Sequence, residues 1–308
     1  MVEGNKLEDV FNKGILILKN ANICAPVVEA GVLLCHVLKC DKTFLYTHKE
    51  YCIKENELKE ILISFKKRAQ GMPVQYLTGK IEFMSLDFEV NEHVLIPRQE
   101  TETLVETVIR QCKLNKVLCY PKSTKGETPP IRVLDIGTGS GCIAVSLAHY
   151  IKNTHITAVD ISKKAIEVAR KNAKKNNVYD KIKFVLSDVY KNLEGSKFDI
   201  IVSNPPYVES GEIETLEKQV KNFEPEIALN GGKDGLDFYR KIVSGASLHL
   251  RPKGVLFLEV GFKQADKVKK IIKEKFAQVT VVKDLAGIER VLYGEGTIKP
   301  NSPKDGTR

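Results

Sequence analysis

The sequence predicts an α/β protein in which a mostly parallel, seven-stranded sheet is covered by helices on both faces. The main observation is that strand-like and helix-like segments alternate from residue 131 onward, which is typical of parallel sheets built from strand-helix-strand units. A second observation is the β-branched run Ile200-Ile201-Val202, which indicates a strand buried on both faces. A third is the helical spacing before residue 70, which predicts a separate helical domain.

The strands of the predicted sheet are short apolar runs, and helices separate most of them. We place these strands at residues 131–136, 156–160, 182–186, 198–203, 254–260, 277–282 and 290–293. The intervening amphipathic patterns predict helices at residues 140–150, 163–175 and 236–249. The last two strands close the sheet, with one antiparallel strand at its edge. From Glu295 onward the chain is predicted to form a disordered tail.

The N-terminal part of the chain predicts a small helical domain. Apolar residues recur at helical spacing between residues 6 and 68. Pro26 is placed to open a second helix, and Gly71 is placed to end the last one.

The next segment predicts a β-hairpin that links the two domains. From residue 73 to residue 97 the spacing shifts towards alternation, and Asn91-Glu92 is the predicted turn. Helical spacing returns after Arg98. The stretch 115–130 is rich in Lys, Pro, Ser, Thr and Gly and predicts a mobile surface loop.

Composition limits the classes of protein to consider. The 308 residues are 43% hydrophobic and 28% charged, which is ordinary for a globular protein and sufficient for two domains. The first residues lack a basic region followed by an apolar block, and no apolar run approaches the ~20 residues of a membrane span. The seven cysteines contain no C-x-x-C pair and form no cluster with the six histidines. We therefore expect a cytoplasmic protein, without a membrane anchor, with reduced thiols and no metal site.

The net charge of +9 leaves two interpretations open. A basic surface fits nucleic-acid binding. However, most lysines fall on predicted helix faces, as in residues 163–175 and 263–273, where a solvated surface is the ordinary explanation. Such a surface also attracts an acidic protein partner. We expect a monomer that requires no nucleic acid.

The polar corner after strand 198–203 is the strongest candidate for chemistry. It reads Asn204-Pro205-Pro206-Tyr207, and ligands of open α/β sheets bind outside the carboxyl ends of the strands. Asn204 offers a side-chain amide. Pro205 offers a backbone carbonyl and has no N–H group of its own that would compete for acceptors. Pro206 holds both still, and Tyr207 adds an aromatic face that can stack on the planar substrate group. Because two carbonyl oxygens can accept both hydrogens of a planar NH2 group, we interpret these residues as catalytic residues that bind and orient a substrate amide or amine. The alternative is an ordinary proline turn.

A nucleoside site is predicted at the ends of the preceding strands. The segment 135–141 follows the first strand, and its glycines let backbone approach a ligand closely. Its G-x-G-x-G spacing does not support a pyrophosphate site. Asp160 ends the next strand and suits the two hydroxyls of a ribose, while Asp188 follows the third strand and suits the amine of adenine, with the Val189 backbone beside it. The alternatives are a structural glycine turn and two helix-capping acids.

S-adenosylmethionine is the nucleoside whose chemistry fits both sites. Its sulfonium methyl group can be displaced in line by a nitrogen held at Asn204. Asp135 suits the positive charges of the methionine moiety, and a dinucleotide would not need that acid.

Several of these motifs together resemble the peptide-chain release factor glutamine methyltransferases. The similarity covers nearly the whole chain. It rests on Arg68 with 71–76, on 95–98, on 135–141, on 204–207, and on Glu224-Pro225 with 231–236. The resemblance implies a Rossmann-like class I methyltransferase domain at 99–294, after a helical substrate-recognition domain at 1–78 and a hairpin linker at 79–98, with the tail at 295–308.

The resemblance also implies a reaction and a set of residues. The family methylates the side-chain amide nitrogen (N5) of the glutamine in the Gly-Gly-Gln motif of release factors. One departure is Val189, where family members often carry an aromatic residue that stacks on adenine. Asn204 to Tyr207 would hold the glutamine. The residues implied for S-adenosylmethionine are Asp135, Ile136, Gly137, Thr138, Gly139, Asp160, Asp188, Val189 and Asn204.

Two other functions remain in competition. An adenine-N6 methyltransferase acting on DNA or RNA would grip a similar planar NH2 group after base flipping. Against it, the extra domain is helical and contains no recognisable base-reading module. A nonenzymatic nucleoside sensor would have no use for the rigid amide clamp.

Overall fold

The computed structural model describes residues 5–114 and 129–297, and the chain divides into two compact units. One unit comprises the residues up to Lys80 together with Leu216–Glu224. The other comprises Ile81–Thr215 and the residues from Pro225 onward. The predicted loop at 115–130 lies outside the described residues, except for its last two positions.

The first unit is helical. Its core contains Leu7, Leu34, Ile61 and Phe65, each completely buried. Gly14 is required beneath Phe65, because a Cβ at residue 14 would lie 2.3 Å from the ring. The helices of this unit before the hairpin are α1 (Leu7–Asn20), α2 (Pro26–Leu38), α3 (Lys42–Thr47), α4 (Glu55–Ala69) and α5 (Val74–Thr78).

The second unit begins with the hairpin of β1 (Lys80–Phe83) and β2 (Leu86–Glu89). A turn does lie at Asn91-Glu92, where the Val94 N–H donates to the Asn91 carbonyl at 3.2 Å, but it is not the turn of the hairpin, because the two strands reverse at Met84-Ser85. Both of these residues have positive φ values, 51° and 55°. Two-residue hairpin turns need this conformation and usually signal it with Asn or Gly, so the sequence carried no such signal here.

The remaining elements alternate strands and helices, as the sequence predicts. After α6 (Gln99–Lys113) come β3 (Ile131–Ile136), α7 (Cys142–Tyr150), β4 (Thr154–Asp160), α8 (Lys163–Lys175), β5 (Ile182–Leu186), β6 (Phe198–Ser203), α9 (Lys218–Phe223), α10 (Asp237–His249), β7 (Leu250–Glu259), α11 (Ala265–Lys273), β8 (Phe276–Lys283) and β9 (Glu289–Thr297). Of these, α9 belongs to the first unit. Short 3-10 turns lie at Tyr179–Lys181, Ile213–Thr215 and Glu226–Ala228.

The seven-stranded sheet has the order β5-β4-β3-β6-β7-β9-β8, and its first five strands are parallel. The predicted fold class is therefore confirmed. The chain extends the sheet in one direction from β3 to β5 and in the other from β6 onward, so the carboxyl ends of β3 and β6 form the point where the strand order reverses. Ligands of open α/β sheets bind at such a point.

All six residues of β6 are buried, because helices cover both faces of the sheet. Ile200 and Val202 share one core cluster with side chains of α6 and α7. Ile201, between them, packs in the other cluster with side chains of α10 and α11. Burial on both faces explains why apolar runs, rather than alternation, marked the central strands.

Two expectations about the end of the sheet are wrong. The antiparallel strand is not at the edge, because β9 lies between β7 and β8 and pairs with both. The turn closed by Asp284 and Ile288, whose N–H···O distance is 2.8 Å, returns the chain beside β8. The predicted tail also begins too early, because Glu295 and Thr297 continue β9 by pairing with β8. Residues 298–308 lie outside the described residues.

Asn172 of α8 joins the hairpin to the loop after β3. Its side chain is completely buried. Its Oδ1 accepts from the Glu89 N–H at 2.6 Å, and its Nδ2 donates to the carbonyl oxygens of Glu89 at 2.9 Å and Ser140 at 2.8 Å. One amide group thus pairs three backbone groups that would otherwise be buried without partners.

Candidate active site

A cavity lies at the carboxyl ends of the parallel strands, where the sequence predicts one. We describe it in two halves. The cofactor half follows β3, β4 and β5, and the amide half follows β6. Predicted site residues that line the cavity are Ile136, Gly137, Gly139, Asp160, Asp188, Val189, Asn204, Pro205 and Pro206. The other three predicted site residues, Asp135, Thr138 and Tyr207, do not line it.

The loop after β3 turns sharply to open the cofactor half. Gly137 has a φ of +71°, a conformation that L side chains rarely adopt. A Cβ added at Gly137 would meet no described atom within 4 Å, so this backbone faces open space. The N–H groups of Gly137 and Thr138 both donate to the Val159 carbonyl at 2.9 Å. The loop therefore presents bare backbone to a ligand and is held from behind by β4.

Asp160 ties this loop to the end of β4. Its Oδ2 accepts from the Gly139 N–H and its Oδ1 from the Ser162 N–H, each at 2.9 Å. Burial raises the pKa of Asp160 above its usual value, although these hydrogen bonds oppose the shift. Each carboxylate oxygen accepts more than one hydrogen bond, so Asp160 retains capacity for the hydroxyls of a ribose.

Asp135 lies directly behind the loop and is completely buried. Its Oδ2 accepts from the Thr138 hydroxyl at 2.6 Å, whereas its Oδ1 has no hydrogen-bond partner among the described residues. Burial raises the pKa of Asp135 to about 7. An unpartnered buried carboxylate is costly, and a cation bound beside it would offset that cost. This arrangement fits the positively charged methionine end of S-adenosylmethionine.

The turn after β5 carries Asp188 and Val189 to the cavity. Val189 has a φ of +51°, which is unfavourable for a β-branched residue. Ser187 holds the turn, because its hydroxyl donates to the Val189 carbonyl and accepts from the Asn192 N–H, each at 3.1 Å. Phe238 of α10 also lines the cavity. Its aromatic ring, which no sequence pattern indicated, supplies apolar surface to the cavity, whereas the Val189 side chain supplies little.

The amide half is a rigid corner. The Tyr207 carbonyl accepts from the Gln264 side chain at 2.9 Å. The Tyr207 ring packs against Gly261, where a Cβ would lie 2.8 Å from ring atom Cδ2. Burial, together with the nearby Glu259 carboxyl, raises the pKa of Tyr207 to about 12. Tyr207 is therefore neutral and held on two sides, and it fixes the end of the Asn-Pro-Pro segment.

Two further residues stand behind Asn204, and sequence reasoning missed both. Asn204 Nδ2 donates to the Thr101 hydroxyl at 3.1 Å, and Thr101 lies close enough to Glu259 to lower the pKa of its carboxyl group. Burial raises the pKa of Glu259 to about 7. The available signal was a carboxylate ending the apolar run 255–258. Nothing in the local sequence indicated that Thr101 meets Asn204.

Among the described residues, no group of His, Cys, Asp and Glu is arranged to hold a metal ion. A membrane-crossing helix is also missing from residues 5–114 and 129–297, since none there has both the length and the apolar character.

The cavity can hold a nucleoside with a cationic group and can present carbonyl oxygens to a planar NH2 group beside it. Comparisons with known proteins agree with a cavity of this kind. Residues 124–223 match the family model described as "Methyltransferase small domain", and residues 9–79 match "PrmC N-terminal domain". The hMettl16 catalytic domain, solved in complex with MAT2A 3′UTR hairpin 6, shares the fold with a TM-score of 0.51 at 19% identity. That likeness covers 78% of this chain and 82% of the other.

Two relatives that match nearly the full length of the chain have a higher sequence identity to it. A release factor glutamine methyltransferase of Clostridium acetobutylicum is 42% identical over 290 residues, which cover 93% of this chain and 97% of that protein. Another, from Koribacter versatilis, is 38% identical over 297 residues, covering 96% and 99%.

The fold and the cavity define a class I methyltransferase, and S-adenosylmethionine is confirmed as its predicted cofactor. The chain belongs to the release factor glutamine methyltransferase family.

Proposed function

We propose that the protein transfers a methyl group from S-adenosylmethionine to the side-chain amide nitrogen (N5) of the glutamine in the Gly-Gly-Gln motif of peptide chain release factors. The observation that carries the proposal is family membership over nearly the full chain. The amide half supports it, because a carboxamide NH2 matches the acceptors at Asn204 and Pro205 in number and planarity.

The cofactor half is assigned to S-adenosylmethionine. Bound there, the molecule supplies a methyl carbon activated by the positive sulfonium. Asp160 holds the ribose, and Asp188 with the Val189 backbone holds the adenine. Asp135 acts from behind the loop after β3, where its buried carboxyl group, fixed by Thr138, favours the positive charges of the methionine end. Ile136, Gly137 and Gly139 provide the close backbone surface.

The amide half orients the glutamine. Asn204 Oδ1 and the Pro205 carbonyl accept the two N–H bonds of the substrate, which aims the nitrogen lone pair out of the amide plane. Pro206 and Tyr207 keep both acceptors still. An amide nitrogen is a weak nucleophile, so orientation has to contribute much of the rate, and well-oriented reactants gain ~7–11 kcal/mol from proximity. The stacking role predicted for Tyr207 stays a prediction.

The first unit and the hairpin are assigned to the release factor. We propose that residues 1–78 recognise the protein substrate and that residues 99–294 perform the transfer. We further propose that the enzyme acts as a cytoplasmic monomer without nucleic acid. A basic surface suits an acidic protein partner.

One labelling experiment tests the reaction. The protein is incubated with methyl-labelled S-adenosylmethionine and either a release factor or adenine-containing DNA and RNA. Label is expected in the release factor, and a release factor with Gln→Ala in its Gly-Gly-Gln motif is the matched control without label. Label in nucleic acid alone would overturn the proposal in favour of an adenine-N6 methyltransferase.

A further inference from the structure

Thr101 is the residue that connects the amide half to a second buried carboxyl group. It lies in the first turn of α6 and is 2% exposed. Its hydroxyl accepts from Asn204 Nδ2 at 3.1 Å and lies close enough to the Glu259 carboxyl group to stabilise its charged form and lower its pKa. Glu259 is the last residue of β7 and is 1% exposed. Its Oε2 has no hydrogen-bond partner within the described part of the chain.

The chemistry of the three groups fixes the direction of this chain of hydrogen bonds. An ionised carboxylate can only accept, and a hydroxyl has a single proton to donate. Thr101 therefore donates to Glu259 and is left to accept from Asn204. The Asn204 side chain must then turn its NH2 group towards Thr101 and its Oδ1 away from it. Without such a partner, the two orientations of an amide are nearly equivalent in shape.

We propose that Glu259 and Thr101 are positioning residues, which act through the Asn204 side chain to keep its Oδ1 as the acceptor offered to the substrate NH2 group. This inference rests on the proposed function. If Asn204 turned over, its own NH2 would face the substrate NH2, and two donors cannot bond to each other. The pair thus selects between a productive and a non-productive orientation of one side chain.

The surroundings of Glu259 make this selection sensitive to pH. Burial raises its pKa to about 7, Arg290 and Arg98 oppose the shift, and Glu100 adds to it. Tyr207, Tyr239 and the Cys142 thiol lie close enough to interact with its charge. A protonated Glu259 can donate to Thr101, which leaves the hydroxyl proton free to donate to Asn204 Oδ1. Acid therefore admits the non-productive orientation alongside the productive one, and the fraction of productive side chains falls.

The first test compares threonine variants of α6. Thr101→Val removes the hydroxyl at nearly constant shape, and Thr101→Ser retains it. Thr107→Val is the matched control, because Thr107 is also 2% exposed in α6, but within the described part of the chain its hydroxyl donates to the Thr103 carbonyl, at 2.7 Å, and not to a group of the cavity. Thr101→Val is expected to lower kcat by about ten- to a hundredfold, with the Kd for S-adenosylmethionine within twofold of wild type. Thr101→Ser recovers most of the loss, and Thr107→Val retains wild-type kcat.

The second test observes the Asn204 side chain directly by NMR and needs no methyl acceptor. Its NH2 signals in ¹⁵N–¹H spectra, assigned by their loss in Asn204→Ala, are expected to shift and to exchange faster with water in Thr101→Val but not in Thr107→Val. These spectra remain informative if the wild type methylates no release factor, an outcome that would refute the proposed function alone.

The third test replaces the carboxyl group of Glu259 with an amide. Glu259→Gln is expected to lower kcat at saturating cofactor and to remove the fall of kcat between pH 8 and pH 6. The positioning role is refuted if Thr101→Val keeps wild-type kcat and spectra, if Thr101→Ser is as damaged as Thr101→Val, or if Glu259→Gln keeps the wild-type pH profile.

Discussion

The two halves of the cavity are built in different ways. In the cofactor half, Asp160 holds a loop that lies 21 residues earlier in the chain, and Thr138 holds Asp135 at a separation of three residues. In the amide half, Asn204 depends on Thr101 at a separation of 103 residues. The first half is specified by neighbouring strand ends. The second is assembled only when α6, β6 and β7 have all packed together.

The largest effect is expected from the amide half, in Asn204→Ala. Loss of the Oδ1 acceptor and of the bond to Thr101 should lower kcat by about a hundredfold or more, while the Kd for S-adenosylmethionine changes by less than fivefold. Turnover assays and calorimetry measure the two quantities. Asn177→Gly, at an exposed position just after α8 whose φ of +57° glycine tolerates, is the control. A parallel loss of cofactor affinity would mean that Asn204 serves the cofactor half instead.

The corresponding change in the cofactor half is Asp160→Asn. The new NH2 group would face the N–H of Gly139 or Ser162, and one charged acceptor would be lost. Hydrogen bonds to charged groups contribute ~1.5–3 kcal/mol, so the Kd for S-adenosylmethionine should rise about 10- to 100-fold. Calorimetry measures the Kd. Asp180→Asn, at an exposed turn, should leave it unchanged, and an unaffected Kd in Asp160→Asn would contradict the assigned role.

A smaller effect, on the pH dependence of cofactor affinity, distinguishes the two buried carboxyl groups Asp135 and Glu259. Because the pKa of Asp135 is raised to about 7, the group is largely neutral at pH 6 and largely ionised at pH 8. A bound cation favours the ionised form, so affinity for S-adenosylmethionine should rise about tenfold from pH 6 to pH 8. In Asp135→Asn this dependence should disappear, whereas Glu259→Gln should retain it. Equal slopes in wild type and Asp135→Asn would assign the titration to another group.

The smallest effect concerns backbone conformation. Gly137 and Gly195 have nearly the same φ, +71° and +70°, and neither has a described atom within 4 Å of an added Cβ. Alanine at either position should therefore lower the free energy of unfolding by a similar ~1–2 kcal/mol. Only Gly137→Ala should also weaken cofactor binding, by several-fold, because only Gly137 lines the cavity. Thermal unfolding and calorimetry test this, and equal affinities in the two variants would show that the loop does not contact the ligand.

The comparison of halves also explains what the sequence could predict. The strands at 131–136, 182–186 and 198–203 have the predicted bounds. Helices cover both faces of 198–203, whose apolar run is unambiguous, whereas 182–186 is a more exposed edge strand that its short apolar run still marked. The acids at strand ends were recognisable because parallel strands bring their carboxyl ends to one edge. Local pattern and fold class were sufficient for the cofactor half.

The remaining features depend on contacts or conformations that local sequence does not encode. Thr101 and Glu259 meet Asn204 through packing of distant elements. The turn at Met84-Ser85 uses positive φ values without Gly or Asn. The place of β9 inside the sheet depends on its pairing with β7 as well as β8. The contacts of Thr101 and Glu259 and the place of β9 therefore follow from interactions between distant segments, whereas the turn follows from a local conformation that its residues do not signal.

The buried Asn172 side chain links the hairpin to the cofactor half, so the hairpin can carry a probe of cofactor binding. Because one amide group binds both Glu89 and Ser140, we expect ordering of the loop after β3 to reach β2. A fluorophore on Cys introduced at Ser85, an exposed position at the hairpin tip, would report that ordering optically. Once the exposed Cys24 and Cys52 are replaced, a label at this position would make the protein a sensor of its own cofactor.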